Sequence, residues 1–188
     1  MTPMRDPDIR AALIVQLRAG HPDPVHNRIW PEMAVGLGAS RVDVGLVNGL
    51  LTGYEIKSAA DNLGRLPSQI EHYGRCLDRA VIVTSESRAE TIADHVPDWW
   101  GITIASAVED GQVLLADRRE PADNPGLEAF YVAQLLWRDE AYAVLEARGL
   151  HEGLKRATRW VLWDRLAELP LDELRHDVRV QLKARSGY

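Results

Sequence analysis

The stretch RVDVGLVNGLLTGYEIKS, Arg41 to Ser58, decides how the chain is read. Val42, Val44 and Leu46 precede Asn48-Gly49, and Leu50 and Leu51 follow it. Asn-Gly between two β-branched or apolar runs is the strongest short-range signal for a β-hairpin. Glu55 and Lys57 lie two apart on the second strand, so they share one face, with Tyr54 and Ile56 on the other. Asp43 lies on the partner strand. A strict two-residue turn at Asn48-Gly49 sets Asp43 opposite Tyr54, on the wrong face. A bulge at Gly53, one extra residue, brings Asp43 opposite Glu55. Two carboxylates directly opposite repel each other, and a bound cation is the usual reason to tolerate them.

The chemistry of such a pair is that of a hard cation. Mg²⁺ takes oxygen ligands at roughly 2.0–2.1 Å in octahedral geometry and keeps several waters. Asp43, Glu55 and the Ile56 carbonyl supply the protein share. Lys57 then sits beside the ion and reaches a water or a phosphate oxygen, an arrangement suited to metal-assisted phosphodiester hydrolysis. The plain alternative is a solvated strand face with an ordinary Glu/Lys pair, because the tripeptide Glu-x-Lys is common.

Outward from the hairpin, the periodicity predicts a helix over 7–19 carrying Ile9, Leu13, Ile14 and Leu17, ended by Gly20, Pro22 and Pro24. Residues 21–31 read as a loop. Leu63, Leu66, Ile70, Tyr73 and Leu77 mark one face of a helix after the hairpin. Ala80 to Thr84 is an apolar run typical of a buried strand, followed by a helix around 86–95. Ile102 to Ala105 is another apolar run, and Asp110-Gly111 turns the chain into 112–116. Residues 117–125, charged and holding Pro121 and Pro125, read as a linker. Everything beyond is helical in pattern, with stripes through Leu135 and Leu145, Leu154 to Leu166, and Leu171 to Leu182. The fold class is therefore α/β: a mixed sheet flanked by helices with a helical C-terminal extension, divided as a core over 1–120 and the extension over 121–188.

Composition narrows the function classes. The 188 residues carry a formal net charge of -6, which speaks against a protein that coats nucleic acid, though not against one local groove. One cysteine, Cys76, leaves neither a disulfide framework nor a multi-cysteine zinc site, and it reads as a buried thiol. The histidines lack metal-ligand spacing. No leader pattern and no apolar run of about 20 residues is visible, so the expectation is a cytoplasmic protein without a membrane partner.

The same residues resemble the PD-(D/E)XK, restriction-endonuclease-like nucleases. The order Asp43, Glu55-x-Lys57, then Gln69 on the next helix is the pattern of that superfamily, with Val42 where its name has proline. The chain is most similar to a small, genome-annotated bacterial family within it, on Arg41 to Asp43, Gly53 to Ser58, Asp61, Arg65 to Ile70, Tyr73 and Pro97 to Gly101. The resemblance covers about residues 8–105 closely and the C-terminal helices loosely. It implies a Mg²⁺- or Mn²⁺-dependent nuclease acting on nucleic acid, DNA before RNA. It implies Glu32 as the first acidic residue, a ligand of a further ion or an orienter of water, and Gln69 as support for Lys57. Arg65, one turn before Gln69, is a candidate for holding phosphate. The alternative is an inactive nuclease fold serving as a nucleic-acid-binding or protein-interaction adaptor. A third reading is a module that dimerises through its C-terminal helices.

Several features read more plainly. Asp61 and Ser58 shape the turn after the second strand, with Asp61 expected to cap. Trp99 and Trp100 read as loop packing. Lys155, Arg156, Arg159, Arg165, Arg175, Arg179, Lys183 and Arg185 allow a DNA-docking helix pair, but the acids among them favour a solvated or bundle-packing face.

Overall fold

The computed structural model describes residues 5–58, 61–108 and 112–186. The hairpin is present and sits within a six-stranded mixed sheet of order β1-β2-β3-β4-β5-β6. The strands are β1 (Arg28–Val35), β2 (Ser40–Val47), β3 (Leu51–Lys57), β4 (Arg79–Ser85), β5 (Gly101–Ala107) and β6 (Val113–Arg119). β3, β4 and β5 run parallel, and the β1–β2, β2–β3 and β5–β6 pairs are antiparallel. The helices are α1 (Asp6–Gly20), α2 (Leu66–Cys76), α3 (Glu86–Ala93), α4 (Ala129–Ala133), α5 (Arg138–Ala147), α6 (Arg159–Ala167) and α7 (Leu171–Ala184). This is the expected class: a mixed sheet flanked by helices, with helices at the C-terminal end. Among the described residues, no helix is long and apolar enough to cross a membrane.

Parallel strands are joined through crossover helices, so β3, β4 and β5 lie in the middle of the sheet, covered on both faces. Ala80 to Thr84 of β4 are buried without exception, as the unbroken apolar run anticipates. One face carries the larger core, where Leu51, Ile82 and Ile102 of the sheet pack with Tyr73, Leu77 and Ile92 of α2 and α3 and their flanks. Leu136, Leu145, Leu162, Leu174 and Val178 of the C-terminal helices belong to the same cluster. The other face is covered by α1 through Ile9, Leu13 and Leu17 on Val44, Ile56, Val81 and Val83.

The hairpin differs from expectation in an instructive way. Val47 pairs with Leu51 and Val44 with Tyr54, with Gly45 squarely opposite Gly53. No bulge occurs at Gly53. The extra residue is in the turn, which spans Asn48, Gly49 and Leu50 and is closed by Asn48 Oδ1 accepting from Leu50 N at 2.8 Å. Continued by one residue, this register still sets Asp43 against Glu55. Gly53 has a different reason: a Cβ there would lie 2.5 Å from Leu77 Cδ1 and 3.1 Å from Val42 Cγ1. The glycine lets the end of α2 settle onto the strand.

Other boundaries also move. The expected loop over 21–31 ends early, because β1 begins at Arg28 and runs through Pro31. An edge strand tolerates proline, whose missing N–H need not join a ladder. The expected linker gives its first residues to β6, which continues to Arg119. Its remainder is tied down by Asn124, whose side chain donates to the carbonyls of Gly74 and Leu77 at 2.8 Å each. The single amphipathic stretch after Leu127 is two helices, α4 and α5, broken where Glu140 accepts from the Trp137 N–H at 2.7 Å. The expected Asp110-Gly111 turn lies outside the described residues.

Candidate metal centre and cleft

The site forms where the sheet opens. In β1 and β2 the buried side chains change sides: Val44 and Leu46 join the α1 core, whereas Val42 joins the core on the opposite face. In β1, Trp30 and Met33 are an odd number apart yet share one core. The change of phase falls at Glu32 in β1 and Asp43 in β2, which the strand register places side by side. Glu32 has φ 54, left-handed backbone that a side-chain-bearing residue adopts at a cost of about 1–3 kcal/mol. The β2–β3 ladder stops at Val44–Tyr54, and Asp43 Oδ2 enters the gap to accept the Ile56 N–H at 2.7 Å. N–H and C=O of one strand residue point to the same side, so the Ile56 carbonyl also faces the gap.

Glu55 and Lys57 point from β3 toward α2, and each is 3% exposed. Lys57 Nζ donates to Glu55 Oε1 at 2.6 Å, and Gln69 Nε2 donates to the same oxygen at 2.5 Å. Tyr73 Oη lies 2.7 Å from Glu55 Oε2 and equally close to the Arg41 carbonyl. Helix spacing explains the pair, since Gln69 and Tyr73 are one turn apart on the face of α2 that meets β3. Tyr73 stacks on Trp100, ring centres 5.8 Å apart, so Trp100 packs as expected. Burial and the Glu55 charge raise the Tyr73 phenol well above its ordinary value. Burial, then repulsion from Glu55, pushes the Asp43 carboxyl up to about 7, against the opposing effects of the Ile56 N–H and Arg10.

Asp43, Glu55, Ile56, Lys57 and Arg65 line a cavity of about 360 Å³. A second cavity of about 650 Å³ adjoins it through Asp43, Glu55 and Arg65 and extends to Glu32 and Gln69. The structure thus brings every sequence-selected site residue to one cleft. Arg65 ends the short 3₁₀ turn before α2 and stands exposed at the cavity rim. Asp61 caps no helix; its Oδ2 accepts from Ser58 N at 2.6 Å, and Asn62 caps the 3₁₀ turn.

Arg10 and Asp6 of α1 were not legible in the sequence. Arg10 bonds Asp43 Oδ1 at 2.9 Å and also Glu32, and lies 3.0 Å from Asp6 Oδ1. Glu32 further accepts from Arg41 at 3.3 Å. The only trace in the sequence is that Asp6 stands just before a predicted helix that carries Arg10, which does not say that they point at the sheet.

The donor set can be tested for fit to a hard divalent ion. A carboxylate offers about four lone-pair sites. Glu55 uses two on Oε1 and one on Oε2, leaving one on Oε2; Asp43 uses one on each oxygen, leaving one on each. With the Ile56 carbonyl, that is an all-oxygen set of the kind Mg²⁺ or Mn²⁺ accepts when waters and substrate fill the remaining positions. Among the described residues, no group of three or more His, Cys, Asp or Glu is arranged to hold a metal by itself. The residues therefore fit an ion completed by carbonyl, water and phosphate, not an all-side-chain cage.

The C-terminal arginines are mostly committed inside the protein. Arg175 and Arg179 hold the buried Asp78 at 2.7 and 3.2 Å, Arg148 pairs with Glu173 and Asp177, and Arg185 with Glu140. This is the bundle-packing reading, and it removes these residues from a DNA-docking face.

Residues 1–187 match the protein family described as Bacteriophage P4 protein cII. A solved structure described as "SPO1766 protein of unknown function from Silicibacter pomeroyi" is similar, with a TM-score of 0.47 and 20% identity over 82% of this chain and 99% of that one. No curated protein matches the sequence.

Proposed function

The chain belongs to the family of bacteriophage P4 protein cII, and we propose that it is a divalent-metal-dependent nuclease of the PD-(D/E)XK kind. Its substrates are the phosphodiester bonds of nucleic acid, DNA before RNA. The observation that carries this reading is the buried Lys57–Glu55 pair beside Asp43 in the gap between β2 and β3. Burying two opposite charges costs several kcal/mol per ion before their attraction and hydrogen bonds offset it. A fold that only needed a filled core would do as well with apolar side chains there.

The roles follow from the contacts. Asp43, Glu55 and the Ile56 carbonyl would hold Mg²⁺ or Mn²⁺. When bound, such an ion polarises the scissile phosphate and acidifies a water. Gln69 and Tyr73 fix the Glu55 carboxylate from two sides, so its remaining lone pair has one direction. Lys57 spends one of its three donors on Glu55 and has two for a water or for charge growing on the phosphate. Fixed charge aimed at such a point is often the largest catalytic contribution. Arg65, at the rim, would hold a neighbouring phosphate. Glu32 would act at a distance from the scissile bond, because Arg10 and Arg41 occupy its oxygens.

The test is cleavage of single- and double-stranded DNA and RNA in Mg²⁺ or Mn²⁺. Lys57→Ala should lose on the order of a hundredfold or more in rate while keeping metal binding. Asp43→Ala should lose both. Cleavage that survives excess EDTA, or both substitutions, would overturn the proposal. One observation favours the adaptor reading: Arg10 already neutralises Asp43 in part. Nucleic-acid binding without cleavage in any divalent ion would decide for it.

A further inference from the structure

A second groove continues the cleft. The larger cavity at the site reaches Gly38, in the short turn between β1 and β2, and the same glycine borders a further cavity of about 450 Å³. That size falls within the roughly 300–1,000 Å³ of ligand sites. Its walls come from the Gly36–Gly38 turn, the starts of α5 and α6, and Arg185 at the end of α7. Three arginines line it, Arg138, Arg159 and Arg185, and no carboxylate of the described residues does. In a chain of net charge -6 this is a local reversal of sign. Arg185 is spent on Glu140, and Arg138 on Asp139 and the carbonyls of Lys155 and Ala157. Arg159 is exposed and has no carboxylate partner among the described residues. Its guanidinium lies over two indoles, 5.7 Å from the ring centre of Trp160 and 5.3 Å from that of Trp163.

Large apolar side chains meet water in the same place. Trp137 is 48% exposed and Leu37 46%, both in this groove, and Trp160 is exposed beside Arg159. The guanidinium of Arg185 lies 4.3 Å from the Trp137 ring centre while bonding Glu140 and the Leu135 carbonyl. The indole is thus held in place although solvent reaches it. Exposed apolar groups gathered in one place mark a binding surface. Rings and guanidinium groups side by side in a groove without acids match an unpaired strand, whose bases stack on rings and whose phosphates meet cations. A duplex hides its base faces and cannot use the rings. We propose that this groove binds single-stranded nucleic acid, with a base stacking at Trp137 and a phosphate meeting Arg159. It would be the continuation of the strand whose phosphodiester enters the cleft. That continuity rests on the nuclease reading; binding in the groove does not, and it needs no divalent ion.

The experiment follows the anisotropy of a labelled oligothymidine of about 16 nucleotides, on the full protein in EDTA, across a salt series. The single strand should bind about tenfold tighter than the same strand in a duplex, and Trp137→Ala should weaken it about tenfold, the loss of one base stack. Arg159→Gln should reduce the slope of log affinity against log salt by about 0.7, the share of one phosphate on a single strand. Arg159→Lys should restore the slope. Circular dichroism melts check each fold, and Trp137→Leu, which keeps apolar bulk without the ring, carries the test if Trp137→Ala does not fold. No binding by the wild type, equal binding of duplex, or unchanged affinity and slope in the folded variants would overturn the proposal. Polyglutamate binding tighter than the oligonucleotide would overturn it too, in favour of an acidic peptide. The expected binding without cleavage in Mg²⁺ or Mn²⁺ would uphold the groove and sink the nuclease reading. Cleavage abolished by Lys57→Ala, with KM unchanged in the groove variants, would uphold the nuclease reading and sink the groove.

Discussion

At the scale of single residues, Asp43 is the most revealing. Its carboxyl is raised to about 7 because burial and Glu55 both disfavour its charge. A carboxyl raised above its unfolded value of roughly 4 favours the folded state in its protonated form. That stability is fully present below about pH 4 and is lost as pH rises through about 7. In EDTA, Asp43→Asn should therefore melt at a higher temperature than wild type at pH 8, and the gap should close toward pH 4; no gap at pH 8 would refute it. Ion binding competes with the same proton, so Mn²⁺ affinity should fall as pH drops below about 7. The sequence pointed to Glu55 and Lys57 through the strand period, to Asp43 through a hairpin with one extra residue, and to Gln69 through the resemblance to the nuclease pattern. It was silent on Arg10, whose partners come from two strands distant in the chain.

The scale of elements shows where periodicity stops being enough. The hairpin was legible from Asn48-Gly49, but the place of its extra residue was not. A glycine in a strand suggests a bulge, and nothing local says that Gly53 instead accommodates Leu77, 24 positions on. β1 was missed because Pro31 and Glu32 interrupt its alternation, and that interruption is the change of phase that opens the cleft. Deleting Leu50 leaves the two-residue turn that Asn-Gly prefers, with Val47 still opposite Leu51 and Asp43 still in line with Glu55. The deletion protein should keep both its β-sheet circular dichroism and its Mn²⁺ binding. Loss of binding in a folded deletion protein would show that the register does not set the site.

For the molecule as a whole, the C-terminal helices are held by a buried charge as well as by apolar packing. Asp78, 3% exposed, accepts from Arg175 and Arg179 of α7 and from the Leu51 N–H of β3. Removing one partner of a buried pair strands the others; solvent reaches both guanidinium groups, so Asp78→Ala should cost about 3 kcal/mol, the low end for such a loss. Urea unfolding would measure it, and a change within ±0.5 kcal/mol, typical of a surface site, would contradict it. The sequence left a solvated and a bundle-packing face side by side and did not single out Asp78, because a mixed run of acids and bases on a helix reads the same whether it faces water or a neighbour.

The two faces of the sheet are unequally fastened. The C-terminal helices share one broad core with α2 and α3, while α1 rests on Ile9, Leu13 and Leu17. Segments with few buried contacts open locally at lower free energy than the core. Amide protons of α1 should therefore exchange with deuterium well before those of α7, and before global unfolding; simultaneous exchange would mean that the two faces open together. Since α1 carries Arg10, each such opening lifts the guanidinium from Asp43 and Glu32. The acidic wall would then be bare for as long as α1 is away, and raised salt, which screens the contacts of Arg10, should accelerate deuterium uptake in α1 more than elsewhere.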